Sequence, residues 1–157
     1  SGQASGHLYV WHGRNCVQAF QAHRGSLNAV YVGKYGVLTG GKDGKVRQWS
    51  HTLNPGASFD LSELGMHPTI RSVCLSNDGT RLLVGTGGNE IYELSAVDGS
   101  DALGGPVTTS HFGRAMCNVA CHPLKPEFAS CGGDCTVRTW DIVTKCPVRT
   151  AKLAAAS

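Results

Sequence analysis

Two sets of four residues have the types that nucleophilic catalysis uses. The first is His23, Thr39, Asp43 and Trp49; the second is His111, Ser130, Asp134 and Trp140. A hydroxyl, an imidazole and a carboxylate can make an activated nucleophile, because the imidazole takes the hydroxyl proton while the carboxylate orients the ring. In both sets the hydroxyl residue precedes the Asp by four positions and the Asp precedes the Trp by six. The gap from His to hydroxyl is 16 in one set and 19 in the other, as a loop of changed length would give. An active site is built once, whereas a pattern recurring at fixed spacing marks stacked modules. The recurrence therefore favours a structural hydrogen-bonded chain over catalysis, and no catalytic residue is assigned.

Metal and phosphate chemistry are weaker readings. Cys117, Cys121, Cys131 and Cys135 form C-x3-C-x9-C-x3-C, with His122 beside Cys121. Four thiolates are a zinc donor set. Strand spacing, however, puts Cys117 and Cys121 on one face of a core strand, where small apolar side chains are wanted. Cys131 and Cys135 flank a turn, so core packing is expected and no metal. Gly40-Gly41 and the stretch 85–88 lack the Gly-Lys-Ser/Thr ending and following helix of a phosphate loop, so they read as turns and no cofactor is expected. Lys42, Lys45, Arg47 and Arg138 suggest a basic patch. By period two, however, Arg47 shares a face with Trp49 and Arg138 with Trp140, so stacking within a sheet competes with partner contact. His12, His51 and His67 read as solvated loop histidines.

The elements that must position these residues are short strands. Helical periodicity is almost absent. Runs rich in Val, Leu, Tyr and Phe lie at 7–12, 16–21, 27–32, 37–40, 45–50, 57–61, 70–76, 81–85, 90–94, 107–110, 116–121, 127–130, 136–141 and 148–152. Asp43-Gly44, Asn77-Asp78-Gly79 and Gly132-Gly133-Asp134 supply turn residues that tolerate positive φ. Many short strands at even spacing predict an all-β fold. The strands group in fours, with unit ends at Trp11, Trp49, Leu94 and Trp140, separated by 38, 45 and 46 residues. That is close to the period of about 40–45 residues of a propeller blade. Val30-Tyr31-Val32 and Leu82-Leu83-Val84 are apolar on both faces, which suits sheets packed between neighbouring sheets.

Composition agrees and excludes some classes. The 157 residues are 41% hydrophobic and 16% charged, with 21 Gly and 6 Pro, a globular profile rich in tight turns. A net charge of +3 falls short of a nucleic-acid footprint. No apolar run approaches the ~18 residues of a membrane span, and no signal peptide is visible at 1–10. Seven Cys without framework spacing, and no Asn-x-Ser/Thr site, favour a reducing compartment. Neither nucleic acid nor membrane is expected as a partner.

The motifs Gly40-Gly41-Lys42-Asp43-Gly44-Lys45-Val46-Arg47-Gln48-Trp49 and Gly132-Gly133-Asp134-Cys135-Thr136-Val137-Arg138-Thr139-Trp140-Asp141 resemble WD40 repeats. The resemblance implies that His, Ser/Thr, Asp and Trp form one chain of hydrogen bonds in each blade. It also implies that the strand after each Trp-bearing strand is outermost. Two units are degenerate. Ser1, Ser5 and Trp11 keep the spacing with Ser5 in the Asp position. The unit 84–94 has no Trp, no Asp and, on this reading, one turn residue fewer, so packing must hold it.

That degenerate unit resembles the echinoderm microtubule-associated protein-like (EML) family. The resemblance rests on Val84-Gly85-Thr86 followed by Asn89-Glu90-Ile91, after Ile70-Arg71-Ser72-Val73 and Asn77-Asp78-Gly79. Gly6-His7-Leu8-Tyr9-Val10-Trp11, Gln21-Ala22-His23-Arg24-Gly25-Ser26-Leu27 and Val119-Ala120-Cys121-His122-Pro123 fit the same family. It implies a non-catalytic scaffold whose partner is tubulin, the microtubule or microtubule-associated proteins. The implied location is cytoplasm and cytoskeleton, extending to the cilium and axoneme. A generic WD40 adaptor in another multiprotein complex is the alternative.

The expected architecture is a partial WD40 β-propeller of about three and a half four-stranded antiparallel blades. Residues 1–22 are the third and outer strands of a preceding blade; 23–66, 67–110 and 111–157 are blades, the middle one degenerate. The chain then reads as a fragment whose further partner is the rest of its own propeller. Specificity is expected in the least regular segments, 51–56, 63–69 and 96–106.

Overall fold

A computed structural model describes residues 1–64, 67–101, 103–109 and 116–153. Among these residues there are fourteen strands and no helix. They are β1 (His7–His12), β2 (Asn15–Gln21), β3 (Leu27–Gly33), β4 (Gly36–Gly41), β5 (Lys45–Trp49), β6 (Pro55–Asp60) and β7 (Ile70–Leu75). The chain continues with β8 (Arg81–Thr86), β9 (Glu90–Ser95), β10 (Thr108–Thr109), β11 (Met116–Cys121), β12 (Glu127–Gly132), β13 (Thr136–Asp141) and β14 (Pro147–Lys152). Each expected strand is present, with bounds moved by a residue or two; residue 110 of one lies outside the described residues.

The strands form a two-stranded sheet β1-β2 and three four-stranded sheets, β3-β4-β5-β6, β10-β9-β8-β7 and β11-β12-β13-β14. Pairing is antiparallel throughout, as tight turns between consecutive strands require. Contacts between sheets run through β7 against β3 and β4, and through β11 against β7 and β8. The strands β2, β6, β10 and β14 lie at sheet edges. This is a partial β-propeller: an all-β stack of antiparallel blades joined through their inner strands.

One turn geometry recurs in all four sheets. Gly6, Gly44, Asn89 and Cys135 have φ of 83, 71, 67 and 58°. Each stands five residues before Trp11, Trp49, Leu94 or Trp140. In the last sheet the left-handed residue is thus Cys135 and not one of the glycines Gly132 and Gly133. The middle turn is also not shortened: Gly40 pairs with Val46 and Gly85 with Ile91, the same span in both. The degenerate unit lost side chains, not length.

A bulge recurs as well. Register shifts fall between Leu27 and Ala29, Ile70 and Ser72, and Met116 and Asn118, at the start of each inner strand. An inserted residue breaks the two-residue alternation of faces. Cys117 is that residue in β11, and it is exposed instead of sharing a core face with Cys121.

The largest core cluster joins Ala29, Leu38, Val46 and Phe59 of one blade to Ile70, Val73, Leu82 and Leu94 of the next. A second joins Cys74, Leu83 and Ile91 to Val119, Phe128 and Trp140. Leu82, Leu83 and Val84 are buried on both faces as expected. Val30 and Val32 are not: they are 41% and 69% exposed. Their face of β3 looks toward the two-stranded sheet, which is too narrow to cover it.

Candidate functional site

The tetrad His23, Thr39, Asp43 and Trp49 is assembled from the loop before β3, from β4, from the β4–β5 turn and from β5. His23 Nδ1 lies 2.9 Å from Asp43 Oδ1, and His23 Nε2 lies 2.8 Å from Thr39 Oγ1. Trp49 Nε1 donates to Thr39 Oγ1 at 2.9 Å. The backbone N–H groups of Arg24 and Lys45 donate to the two Asp43 oxygens at 3.1 and 3.3 Å.

Donor and acceptor capacity assigns the protons. Asp43 only accepts, so His23 carries its proton on Nδ1. Neutral Nε2 then accepts the Thr39 hydroxyl proton, with the Arg47 carbonyl a longer second acceptor at 3.5 Å, and the Thr39 oxygen receives the indole N–H. Every polar side-chain group of the tetrad has a partner, which a buried network demands.

Hydroxyl, imidazole and carboxylate stand in the order of a catalytic triad, but the arrangement has no room for chemistry. Thr39 is wholly buried, and His23 is 1% exposed. One lone pair of the Thr39 oxygen is taken by the Trp49 N–H. A nucleophile needs a substrate within reach, and here the neighbouring space is filled by protein.

Burial lowers the His23 pKa from its ordinary value near 6.5, outweighing the Asp43 carboxylate, which pulls the other way. Burial raises that of Asp43, but hydrogen bonds from His23 and the Arg24 and Lys45 N–H groups outweigh it and leave the carboxyl below its ordinary 3.8. Both depressed values act in one direction. The stability held by His23 is complete above pH 6.5 and falls as acid drives protonation of the unfolded chain; that held by Asp43 falls below pH 3.8. The thermal midpoint is expected to drop between pH 7.5 and 5.5, and the drop to flatten in His23→Gln. A midpoint independent of pH in this window would contradict the neutral imidazole.

The second set is assembled similarly where it is described. Trp140 Nε1 donates to Ser130 Oγ at 2.9 Å. Asp134 Oδ1 accepts from the Thr136 N–H at 3.1 Å and its hydroxyl at 2.8 Å, and Asp134 Oδ2 from Arg138 at 3.1 Å. His111 lies outside the described residues. In the first sheet Trp11 Nε1 donates to Ser1 Oγ at 3.0 Å, so Ser1 stands where Thr39 and Ser130 stand. Ser5 Oγ, in the Asp position, meets His7 Nδ1 at 2.9 Å.

The middle blade has a different solution. Val84, wholly buried, replaces the hydroxyl residue, and Leu94, 1% exposed, replaces the Trp. Thr86 sits at the position of Gly41. A Cβ at Gly41 would lie 2.5 Å from His23 Nδ1 and 2.6 Å from Asp43 Oδ1. Without a Trp or an Asp, the middle blade admits a side chain there; the Thr86 hydroxyl bonds Glu90 at 3.3 Å.

Sequence reasoning missed two features. Glu93, 6% exposed, pairs with Arg81 of its own blade and Lys145 of the next. Burial raises its pKa, but the two cations outweigh this and hold it below the usual range. Nothing in the spacing of 93 and 145 signals that link, because it forms between blades. The second is the sulfur pair Cys74 and Cys121, Sγ to Sγ 2.9 Å, again between blades. Arg47 turns inward and donates to the Ala22 carbonyl, which removes it from any basic patch. No cluster of His, Cys, Asp and Glu fit to hold a metal occurs among the described residues.

Residues 14–50 and 104–141 match the family described as WD domain, G-beta repeat. The chain is 33% identical over 125 residues to Echinoderm microtubule-associated protein-like 4 of Xenopus laevis, covering 78% of the chain and 13% of that protein. It is 31% identical over 153 residues to Echinoderm microtubule-associated protein-like 1 of Mus musculus, covering 94% of the chain and 18% of that protein. Against Echinoderm microtubule-associated protein-like 2 of Rattus norvegicus it is 31% identical over 153 residues, covering 94% and 22%. The chain therefore spans about a fifth or less of the length of these relatives. Among solved structures, the computationally designed Ika8 protein superposes with a TM-score of 0.69 at 19% identity, over 99% of this chain and 46% of that one. At that identity the likeness is one of fold alone.

Proposed function

From the premise that this chain is a WD40-repeat β-propeller protein most like the EML family, we propose that it is a non-catalytic interaction scaffold that associates with microtubules. The observation that carries the reading is the likeness to three microtubule-associated protein-like relatives over most of the chain. The sealed His23–Thr39 pair supports it from the other side, since the residues that most resemble catalytic ones serve to hold a blade together. The tetrads are accordingly structural residues in this proposal.

Residues 23–66, 67–110 and 111–157 act as blades, and 1–22 belong to a preceding blade whose remaining strands cover Val30 and Val32. Trp11, 51% exposed, supports that reading, because its equivalents Trp49 and Trp140 are 8% and 6% exposed. Binding is assigned to the segments 51–56, 63–69 and 96–106, of which 55–56 open β6, with a cytoskeletal location reaching the cilium. A net charge of +3 suits an acidic partner surface by steering encounter.

Co-sedimentation of the full-length protein with polymerised tubulin tests the proposal. Pelleting that depends on the polymer, and weakens with added salt, is expected. Full-length protein that stays in the supernatant over the whole tubulin titration would refute it and favour an adaptor of another complex.

A further inference from the structure

Cys74 on β7 and Cys121 on β11 belong to neighbouring blades and are both reduced. Their sulfurs are 2.9 Å apart, less than ~1 Å beyond a disulfide bond of ~2.05 Å. The two are not equivalent. Cys74 is 2% exposed and lies in the core with Leu83 and Ile91. Cys121 lines a cavity of about 310 Å³ between the blades, together with Arg81, His122, Lys125 and Ile142. The loop that shapes this cavity is pinned across the blades: Asn77 Nδ2 donates to the His122 carbonyl at 3.1 Å and to that of Pro123. One sulfur is thus reachable by a small solute and the other waits behind it.

We propose that Cys121 is a peroxide-reactive thiol and that Cys74 resolves it, so that a hydroperoxide closes a disulfide between two blades. The chemistry balances. Cys121 thiolate attacks the terminal peroxide oxygen; the O–O bond breaks, the sulfur is oxidised to a sulfenic acid and the peroxide leaves as an alcohol, or as water from hydrogen peroxide. Cys74 sulfur then attacks the Cys121 sulfur, the S–O bond breaks, and hydroxide departs with the Cys74 proton as water. Two thiols are oxidised and one peroxide is reduced.

The surroundings favour these roles. Hydrogen bonding from Cys74 holds the Cys121 thiol below its ordinary range, while the same bond and burial push Cys74 up. Glu93, whose charge opposes the thiolate, is neutralised by Arg81 and Lys145. Tyr31 packs against the cluster that holds Cys74, its pKa raised by burial and by the two thiols. The exposed thiols Cys16, Cys135 and Cys146 have no such partner sulfur in the described structure.

The test uses the full-length protein, freed of reductant and treated with hydrogen peroxide, then digested without reduction for mass spectrometry. The expected product is a Cys74–Cys121 peptide pair lighter by two hydrogens, restored by dithiothreitol. Cys121→Ser should lose it. Cys74→Ser, which keeps a donor beside Cys121 but cannot form a disulfide, should stop at the sulfenic acid, trapped on Cys121 by dimedone. Oxidation of Cys16 or Cys146 with residues 74 and 121 still reduced would overturn the proposal. So would a Cys74→Ser protein that gives no adduct at Cys121. The wild-type digest decides the matter alone if either variant does not fold.

Discussion

His23→Ala is expected to destabilise its blade by about 3 kcal/mol, because two polar partners each lose their shortest hydrogen bond. Removing the imidazole leaves the wholly buried Thr39 hydroxyl with only the longer bond to the Arg47 carbonyl, 3.5 Å away. It also takes from Asp43 its side-chain donor, leaving the Arg24 and Lys45 N–H groups to hold the carboxylate. Each buried group left unpaired costs roughly 1–3 kcal/mol, more where it is charged. Denaturant unfolding of the full-length protein, followed by tryptophan fluorescence, measures the loss. Thr39→Val should cost less when added to His23→Ala than alone, because both remove the same bond. Strict additivity of the two would show that the network is not one unit.

Gly41→Thr should cost about as much, and for a reason that can be reversed. The new Cβ would lie 2.5 Å from His23 Nδ1 and 2.6 Å from Asp43 Oδ1, so the pair must separate. Overpacking of this kind costs about 1–3 kcal/mol, and loss of a charge-assisted hydrogen bond adds roughly 1.5–3. Backbone strain does not enter, since Gly41 lies outside the left-handed region. The middle blade carries Thr86 at this position, wholly buried, in a unit without the Trp and Asp of the tetrad. The threonine should therefore be tolerated much better in a His23→Ala background, where the space is vacated. Equal penalties in both backgrounds would rule out the side-chain conflict and point to the backbone instead.

These two expectations separate what is local in this protein from what is not. The four-and-six spacing is a property of one turn between two antiparallel strands. Strand pairing sets it directly: Thr39 opposite Arg47 puts Trp49 within reach, and Ser130 opposite Arg138 does so for Trp140. Such short-range register is legible from residue types alone, as are the fourteen strands and the repeat of the unit. Other readings failed at bulges and at turn conformations. Cys117 was expected inside and lies outside because the inserted residue of β11 reverses the alternation of faces. The middle turn read one residue short because its side chains had changed, although its pairing had not.

The sequence by itself determined the blade: its strands, its turns, the hydroxyl–Trp bond and the family it resembles. Paired strand residues lie at most nineteen positions apart and the hydroxyl and Trp ten, a range whose geometry follows from pleat and period. Only the tertiary structure decided what happens between blades. Glu93 meets Lys145 across 52 positions and Cys74 meets Cys121 across 47. Val30 and Val32, apolar as any core pair, are left exposed by what stands beside them. No periodicity encodes such contacts, because they depend on how whole sheets stack and not on how one strand is written.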